Sequence, residues 1–224
     1  YALHDKHRSP VARWFPVCSI AIAIPISISR SAIISAAVVL VFLIPSWTPS
    51  VRRRAYAGLM TLAVLVYLMV PGLLGTLSGL FTGVSSDNSA QSRVDSYRLA
   101  FEFISRSPLF GRGFKTFLPE YRILDNQYLG LLIEMGIVGL LALLALQVTS
   151  IRSSFQARRR CSDPVQRHLA LAFAASVASN AFSLAFYDGF GFPMATGLFF
   201  LVMGCAGCLS ELVRKERQEA VATG

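Results

Sequence analysis

The chain has 224 residues, of which 54% are hydrophobic and only 15% are charged, and its formal net charge is +9. A soluble domain spreads its charges over its surface. Here the charges stand in clusters, separated by apolar runs that approach the roughly 20 residues needed to cross a bilayer. The composition therefore argues against a soluble helical bundle and favours an integral membrane protein.

Six apolar segments are predicted to cross the membrane as helices, because a backbone inside a bilayer must satisfy its polar groups internally. The predicted spans are about residues 14–28, 32–47, 56–74, 128–149, 169–186 and 192–212. The first is the weakest, since Pro16 and Pro25 interrupt it. The pattern predicts an all-α fold, a polytopic membrane helical bundle forming a single membrane domain over residues 1–224. The chain begins at Tyr1 without Met, so we expect further helices upstream.

Basic residues mark the connections on one side of the membrane, as expected for cytoplasmic loops. They cluster in segments 6–13, 52–54, 152–167 and 214–217. These segments alternate with the spans, so turn 28–31, loop 78–125 and turn 187–193 are predicted to lie outside. The positive charge is thereby explained as a topology signal. It does not indicate a nucleic-acid partner, which would need basic residues gathered on one soluble face.

The outer loop contains a predicted amphipathic helix. Ser92, followed three residues later by Asp95, is typical of a capping box at a helix start. An apolar stripe follows at helical spacing, formed by Val94, Tyr97, Phe101 and Ile104. Pro108 predicts the end of the helix. Such a helix lies on the membrane surface or packs over the ends of the spans.

Several basic residues are predicted on the outer side, against the usual bias. They are Arg30, Arg93, Arg98, Arg106, Arg112, Lys115 and Arg122. An Arg side chain offers phosphate a planar fork of donors and stays charged at any working pH. An outward-facing Arg cluster therefore suits the pyrophosphate of a lipid-linked donor. The alternative is contact with lipid headgroups and pairing with Asp95, Glu102 and Glu120.

Short motifs stand at segment 28–32, at Arg93 and Tyr97, at segment 107–114 and at segment 125–139. In this order they resemble the motifs of the O-antigen ligase and polymerase superfamily. Segment 28–32, Ile-Ser-Arg-Ser-Ala, resembles its Ser-Arg-Gly/Ser-Ala turn, and Arg93 followed by Tyr97 resembles its Arg and aromatic pair. Segment 107–114 resembles its Pro-Leu-x-Gly-x-Gly turn. Segment 125–139 resembles its block His-Asn-x-Tyr-Leu followed by Glu-x-Gly-x-x-Gly. The order of the motifs and their placement relative to the spans carry the resemblance.

The resemblance implies a metal-independent glycosyltransferase of the GT-C type in the cytoplasmic membrane, multi-pass and without a cofactor. Its expected partners are a polyprenyl-pyrophosphate glycan donor, a glycan or lipid acceptor, and membrane lipids. A sugar hydroxyl of the acceptor attacks the anomeric carbon and the lipid pyrophosphate leaves. Such a site needs fixed positive charge at the leaving group and a base at the attacking hydroxyl.

The resemblance also implies roles for individual residues. Arg30 and Arg93 match positions proposed to hold the pyrophosphate, and with Asp125 they are the predicted catalytic residues. Ligases of the family commonly have His at the position of Asp125. Because of this difference, the resemblance is compatible with a polymerase as well as with a ligase. Asp125 takes the acceptor proton, orients substrate hydroxyls, or caps the helix starting near Asn126. The predicted substrate-binding residues are Tyr97, Arg98, Arg112, Asn126 and Glu134.

Other residues have more ordinary interpretations. Glu134 is predicted inside the fourth span, about two turns from the outer end of that span. There it is either a functional residue or a hydrogen-bond partner of a neighbouring helix. Gly136 and Gly139 are predicted to allow close helix packing. The same is predicted for Gly197, Gly204 and Gly207. The spacing of the cysteines and histidines predicts no disulfide framework and no metal site.

Two other functions compete with a transferase. A transporter, or a flippase for a lipid-linked solute, places ionisable residues near the membrane midplane. Glu134 is almost the only charge inside a predicted span, and the polar mass lies outside, which favours surface chemistry. The other alternative is an inactive membrane protein whose loop is a binding platform for the glycan machinery.

Overall fold

The computed structural model describes residues 9–27, 29–69, 88–117, 120–121 and 124–222, and within these ranges the chain is helical with no strands. The helices are α1 (Pro10–Ile26), α2 (Arg30–Leu43), α3 (Pro49–Met69), α4 (Asn88–Arg106), α5 (Gln127–Arg160), α6 (Pro164–Ser183) and α7 (Pro193–Ala222). A short 3₁₀ helix, Ile44–Ser46, follows α2. Helix α4 falls in the predicted outer loop, and the others fall at the predicted spans.

Among the described residues, two stretches are long and apolar enough to cross a membrane, judged by length and composition. They are Gln127–Arg160 and Pro193–Glu219. The segments Pro10–Ile24 and Ser31–Ser46 are apolar but shorter. The structure thus supports a membrane protein, while the count of six spans stays a prediction.

Helices α5, α6 and α7 form the centre of the bundle, and α2 packs along α6. One buried cluster near the middle contains Leu131, Leu143, Val177, Leu184, Phe199 and Met203. A second cluster, towards the end of α5, contains Ala157, Cys161, Ala170, Leu209 and Val213. The α2–α6 contact also has polar bonds, because Ser179 Oγ donates to the carbonyl of Ser35 at 2.8 Å. Bonds of this kind join helices where the surrounding lipid offers no hydrophobic drive.

The start of α4 differs from the prediction. The helix begins at Asn88, so Ser92 lies inside it and is not its cap. Ala90 and Gln91 are good helix formers and extend the helix on the amino-terminal side of the capping pattern. The end agrees with the prediction, since α4 stops at Arg106, before Pro108.

Candidate active site

Helix α5 reverses direction at Gly136, whose φ of 65° and ψ of −166° are not helical. The Tyr128 hydroxyl donates to Gln147 Oε1 at 3.3 Å. A straight helix would separate these two residues by about 28 Å, far beyond the reach of their side chains. Helix α5 therefore consists of a short arm, residues 127–135, and a long arm, residues 137–160, with the short arm folded back. We call the reversal at Gly136 the elbow.

The loop that follows α4 fills the elbow. Two N–H groups of loop residues 108–113 donate to the carbonyls of Ile133 and Glu134 at 3.0 and 2.8 Å. Two carbonyls of the same loop accept from the N–H groups of Ile137 and Val138 at 2.9 and 3.2 Å. A broken helix leaves such backbone groups without partners, and burying them unpaired is costly. The loop replaces the missing helical bonds, so loop and elbow form one structural unit.

Two glycines make this close approach possible. A Cβ atom at Gly111 would lie 2.3 Å from the backbone of Glu134, and one at Gly136 would lie 2.3 Å from the carbonyl oxygen of Leu109. Both residues also have positive φ, +67° and +65°, which a side chain disfavours. The Pro-Leu-x-Gly-x-Gly turn and the Glu-x-Gly-x-x-Gly block are thus two halves of one contact.

The predicted role of the α5 glycines in helix packing is therefore wrong. Gly136 forms the elbow, and a Cβ at Gly139 would lie 2.3 Å from the Cβ of Met135, on the other side of the same reversal. In α7 a Cβ at Gly197, Gly204 or Gly207 would meet no atom of the described residues within 4 Å. Those three glycines therefore contact no other helix in the described part of the chain.

Glu134 also lies at the elbow. It was predicted two turns inside a straight span, but the reversal places it next to the inserted loop. Its side-chain Oε1 accepts from the backbone N–H of Phe117 at 3.4 Å. Its described partner is thus the loop backbone and not a neighbouring helix, so Glu134 helps to hold the loop in the elbow.

Asn126, and not Asp125, caps helix α5. The Asn126 Oδ1 accepts from the N–H groups of Tyr128 and Leu129 at 3.0 and 3.2 Å. This satisfies two of the donors that a helix start leaves open. The alternative role of Asp125 as the cap is therefore wrong. Asp125 lies just before the cap and its side chain is exposed.

Gln127 joins the start of α5 to two other segments, a role that no pattern in the sequence predicted. Its buried side chain accepts through Oε1 from the N–H of Phe190 at 2.7 Å. Its own N–H donates to the carbonyl of Leu184 at 2.8 Å. A polar residue after a helix cap is common, so only the fold reveals that Gln127 fixes the Asp125 loop against the end of α6 and the following turn.

The start of α2 lies at the same end of the bundle as the Asp125 loop. Arg30 is the first residue of α2, and Ser35 follows about 7 Å further along the helix axis. The Ser35 hydroxyl bonds that of Ser183, and the residue after Ser183 accepts from the N–H of Gln127. The side chains of Arg30 and Arg93 lie outside the described residues, so the distance between their guanidinium groups stays open.

Comparison with known families gives one result. A family model described as O-antigen ligase matches residues 15–144, which is more than half of the chain. The chain belongs to the O-antigen ligase family. The resemblance noted from the motifs is thereby confirmed, and it assigns the protein to cell-surface polysaccharide assembly by glycan ligation or transfer. No curated protein and no solved structure matches the chain.

In this O-antigen ligase family member the matched region contains the loop, the elbow and all the predicted catalytic residues. It ends eight residues beyond the elbow, at residue 144. The match therefore includes both halves of the loop–elbow contact. The remainder of the long arm, α6 and α7 lie outside the matched region.

Helix α4 and the loop that follows it carry the other predicted substrate-binding residues, Tyr97, Arg98 and Arg112. The guanidinium carbons of Arg112 and Arg106 lie 5.0 and 5.7 Å from the ring centroid of Phe103, within the range of a cation–π contact. Tyr97 and Arg98 are exposed one to two turns earlier on the same helix. The family member thus presents a cationic surface along α4, and part of it stacks on an aromatic ring instead of pairing with Glu102 as the alternative proposed.

Helix α4 is fixed to the elbow by an apolar contact. Ala100, Leu124 and Ile133 form a buried cluster, to which Phe103 and Phe117 add their rings. Arg93 precedes Ala100 by seven residues, about 10 Å along the helix axis. Within the described part of the chain, no three His, Cys, Asp or Glu side chains come together as a metal site.

Proposed function

We propose that the chain transfers a polyprenyl-pyrophosphate-linked glycan to a glycan or lipid acceptor at the outer face of the cytoplasmic membrane. The observation that carries this proposal is the fold-back of α5 at Gly136. It brings the Asp125 loop to the end of the bundle where α2 starts with Arg30, and it joins the α4 loop to the same helix. Family membership supplies the class of reaction.

In the proposed reaction an acceptor hydroxyl attacks the anomeric carbon of the donor sugar. The bond from that carbon to the pyrophosphate oxygen breaks, and the lipid pyrophosphate leaves with the bonding electrons. Asp125 accepts the proton of the attacking hydroxyl. Arg30 and Arg93 stabilise the negative charge that develops on the leaving diphosphate. This chemistry is shared by a ligase and a polymerase, which differ in the acceptor.

The remaining predicted site residues divide into two groups. Tyr97, Arg98 and Arg112 are proposed to contact the donor along the exposed side of α4. Asn126 and Glu134 are proposed to act as positioning residues, since their side-chain oxygens already bond backbone N–H groups of α5 and of the loop. We also propose that the chain forms a single GT-C-like membrane domain with six spans.

The test is substitution of the three proposed catalytic residues. Arg30→Ala and Arg93→Ala are each expected to lower glycan product by about 10²–10³-fold, the usual effect of removing one group that stabilises a transition state. Asp125→Asn is expected to lower it by about 10²–10⁴-fold. Product is measured on gels, and the lipid-linked donor is measured by mass spectrometry of extracted lipid. Arg159→Ala, which changes an exposed arginine at the other end of α5, is the matched control.

A transferase and a flippase give different results in this experiment. Loss of transfer leaves the lipid-linked donor to accumulate on the outer face, whereas loss of a flippase depletes the donor there. Wild-type product levels in all three variants would contradict the proposal. Asn126→Ala is expected to lower stability by about 1 kcal/mol through loss of the cap, which separates damage to the fold from damage to the chemistry.

A further inference from the structure

The end of the bundle opposite the elbow contains a cavity lined by arginine side chains. Its volume is about 430 Å³, and it lies between the end of α5 and the last turns of α7. The lining residues are Arg160, Arg214, Arg217, Gln218 and Val221. None of these residues belongs to the proposed transferase site. Tyr128, three residues after Asp125, bonds Gln147, which precedes Arg160 by 13 residues, about 20 Å along the helix axis.

The lining of this cavity is positively charged. Arg214 Nη2 donates to Glu211 Oε1 at 2.7 Å, which offsets one of the three guanidinium charges. Arg160 of α5 and Arg217 of α7 supply the other two guanidinium groups of the lining. Guanidinium groups from two helices around one opening form the planar donor arrangement that suits a phosphate group.

The position of the cavity relative to the membrane indicates which molecule supplies such a phosphate. Helix α7 has 30 residues and is therefore about 45 Å long, whereas the hydrocarbon core of a bilayer is about 30 Å thick. Its charged residues begin at Glu211, after an apolar run. When the apolar run fills the core, the cavity begins at Arg214, about 5 Å beyond Glu211 along the helix axis, and this is the level of the lipid headgroups.

We propose that this cavity binds the phosphate group of an anionic phospholipid headgroup. Arg160 and Arg217, one from each helix, bind the phosphate oxygens. Basic pockets between membrane helices bind anionic headgroups for the same electrostatic reason. The proposal does not depend on the transferase function, because it rests on the opposite end of the bundle.

The experiment measures lipid binding to the purified full chain in detergent. The probes are phosphatidylglycerol, phosphatidylcholine and inorganic phosphate, and binding is read by native mass spectrometry and by the shift of the melting temperature. The double variant Arg160→Gln/Arg217→Gln removes two cavity charges. Arg52→Gln/Arg53→Gln removes two exposed arginines at the start of α3 and is the charge-matched control.

Wild type and the α3 control are expected to bind phosphatidylglycerol more tightly than phosphatidylcholine. The cavity variant is expected to bind it about 25-fold more weakly, since each basic residue near a membrane surface contributes about fivefold to the binding of an anionic lipid. The variant Arg160→Lys/Arg217→Lys keeps the charge but loses the planar donors. Its affinity for phosphatidylglycerol is expected to lie between that of wild type and that of the cavity variant. Melting temperatures without added lipid verify that each variant is folded.

Three other outcomes are informative. Binding of inorganic phosphate that the cavity variant alone loses would support the phosphate site and identify a free anion as its source. Equal loss of binding in the cavity and α3 variants would overturn the proposal, because general charge would then explain the effect. Unchanged phosphatidylglycerol binding in the cavity variant would overturn it as well.

Discussion

At the scale of single residues, positions with no ionisable group shape the candidate site. Gly111 and Gly136 let two backbone segments come within hydrogen-bond distance, and Asn126 and Gln127 fix the start of the short arm. These residues fix the backbone that follows Asp125. The proposed chemistry therefore depends on neighbours that take no part in the proposed reaction.

Gly136→Ala is expected to destabilise the protein. The new Cβ would lie 2.3 Å from the Leu109 carbonyl oxygen, and positive φ at a non-glycine residue alone costs about 1–3 kcal/mol. The measurement is thermal unfolding in detergent. Gly197→Ala is the control, since its Cβ enters open space in this chain and alanine favours a helix by up to about 1 kcal/mol. Equal melting temperatures for the two variants would argue against the elbow.

At the scale of elements, the unusual feature is that one predicted span folds back on itself. The apolar pattern of residues 128–149 has no polar interruption that marks a turn except Glu134, so it reads as one helix. The reversal costs helical hydrogen bonds, and loop residues 108–113 replace them. The short arm is thus held by tertiary contacts, while the long arm is about 36 Å long and carries arginines from Arg152 onward.

The fold-back predicts a short distance between the two arms. With the native cysteines replaced, spin labels at Leu129→Cys and Leu144→Cys are expected to show strong dipolar broadening in electron paramagnetic resonance spectra. Labels at Leu144→Cys and Arg159→Cys have the same sequence spacing but lie on the long arm, so they should stay about 22 Å apart. Indistinguishable spectra from the two pairs would mean that α5 is straight.

At the scale of the whole molecule, the two ends of the bundle differ in chemistry. One end combines the elbow, the Asp125 loop and the start of α2, and the other combines the basic connections with the arginine-lined cavity. This polarity agrees with the predicted orientation, in which basic connections lie in the cytoplasm. It separates the proposed transfer chemistry, beside Gln147, from the proposed lipid site at Arg160 by about 20 Å along the long arm.

The orientation is tested by labelling single cysteines in intact cells. Lys115→Cys, exposed in the loop, is expected to react with a membrane-impermeant maleimide. Arg53→Cys and Arg159→Cys are exposed at predicted cytoplasmic connections and are expected to react only after the membrane is made permeable. Labelling of Arg53→Cys and Arg159→Cys from opposite sides would refute the predicted number of spans between them.

Much of the element order was predictable from the sequence, because long apolar runs and proline are local signals. Helices fall at the predicted spans and in the outer loop, and α4 ends before Pro108 as expected. The motifs also predicted the family correctly. The start of α4 was not predicted, because the Ser92 pattern for a helix cap is equally compatible with the inside of a helix.

The sequence by itself determined that this is a helical membrane protein of the O-antigen ligase family, since hydropathy and short motifs are properties of adjacent residues. Only the tertiary structure decided that Gly136 is an elbow, that Glu134 bonds a loop and that Asn126 replaces Asp125 as the cap. The physical reason is that the helix break is stabilised by backbone groups more than twenty residues away. Backbone groups are the same in almost every residue, so no side-chain pattern predicts which of them will form hydrogen bonds with each other.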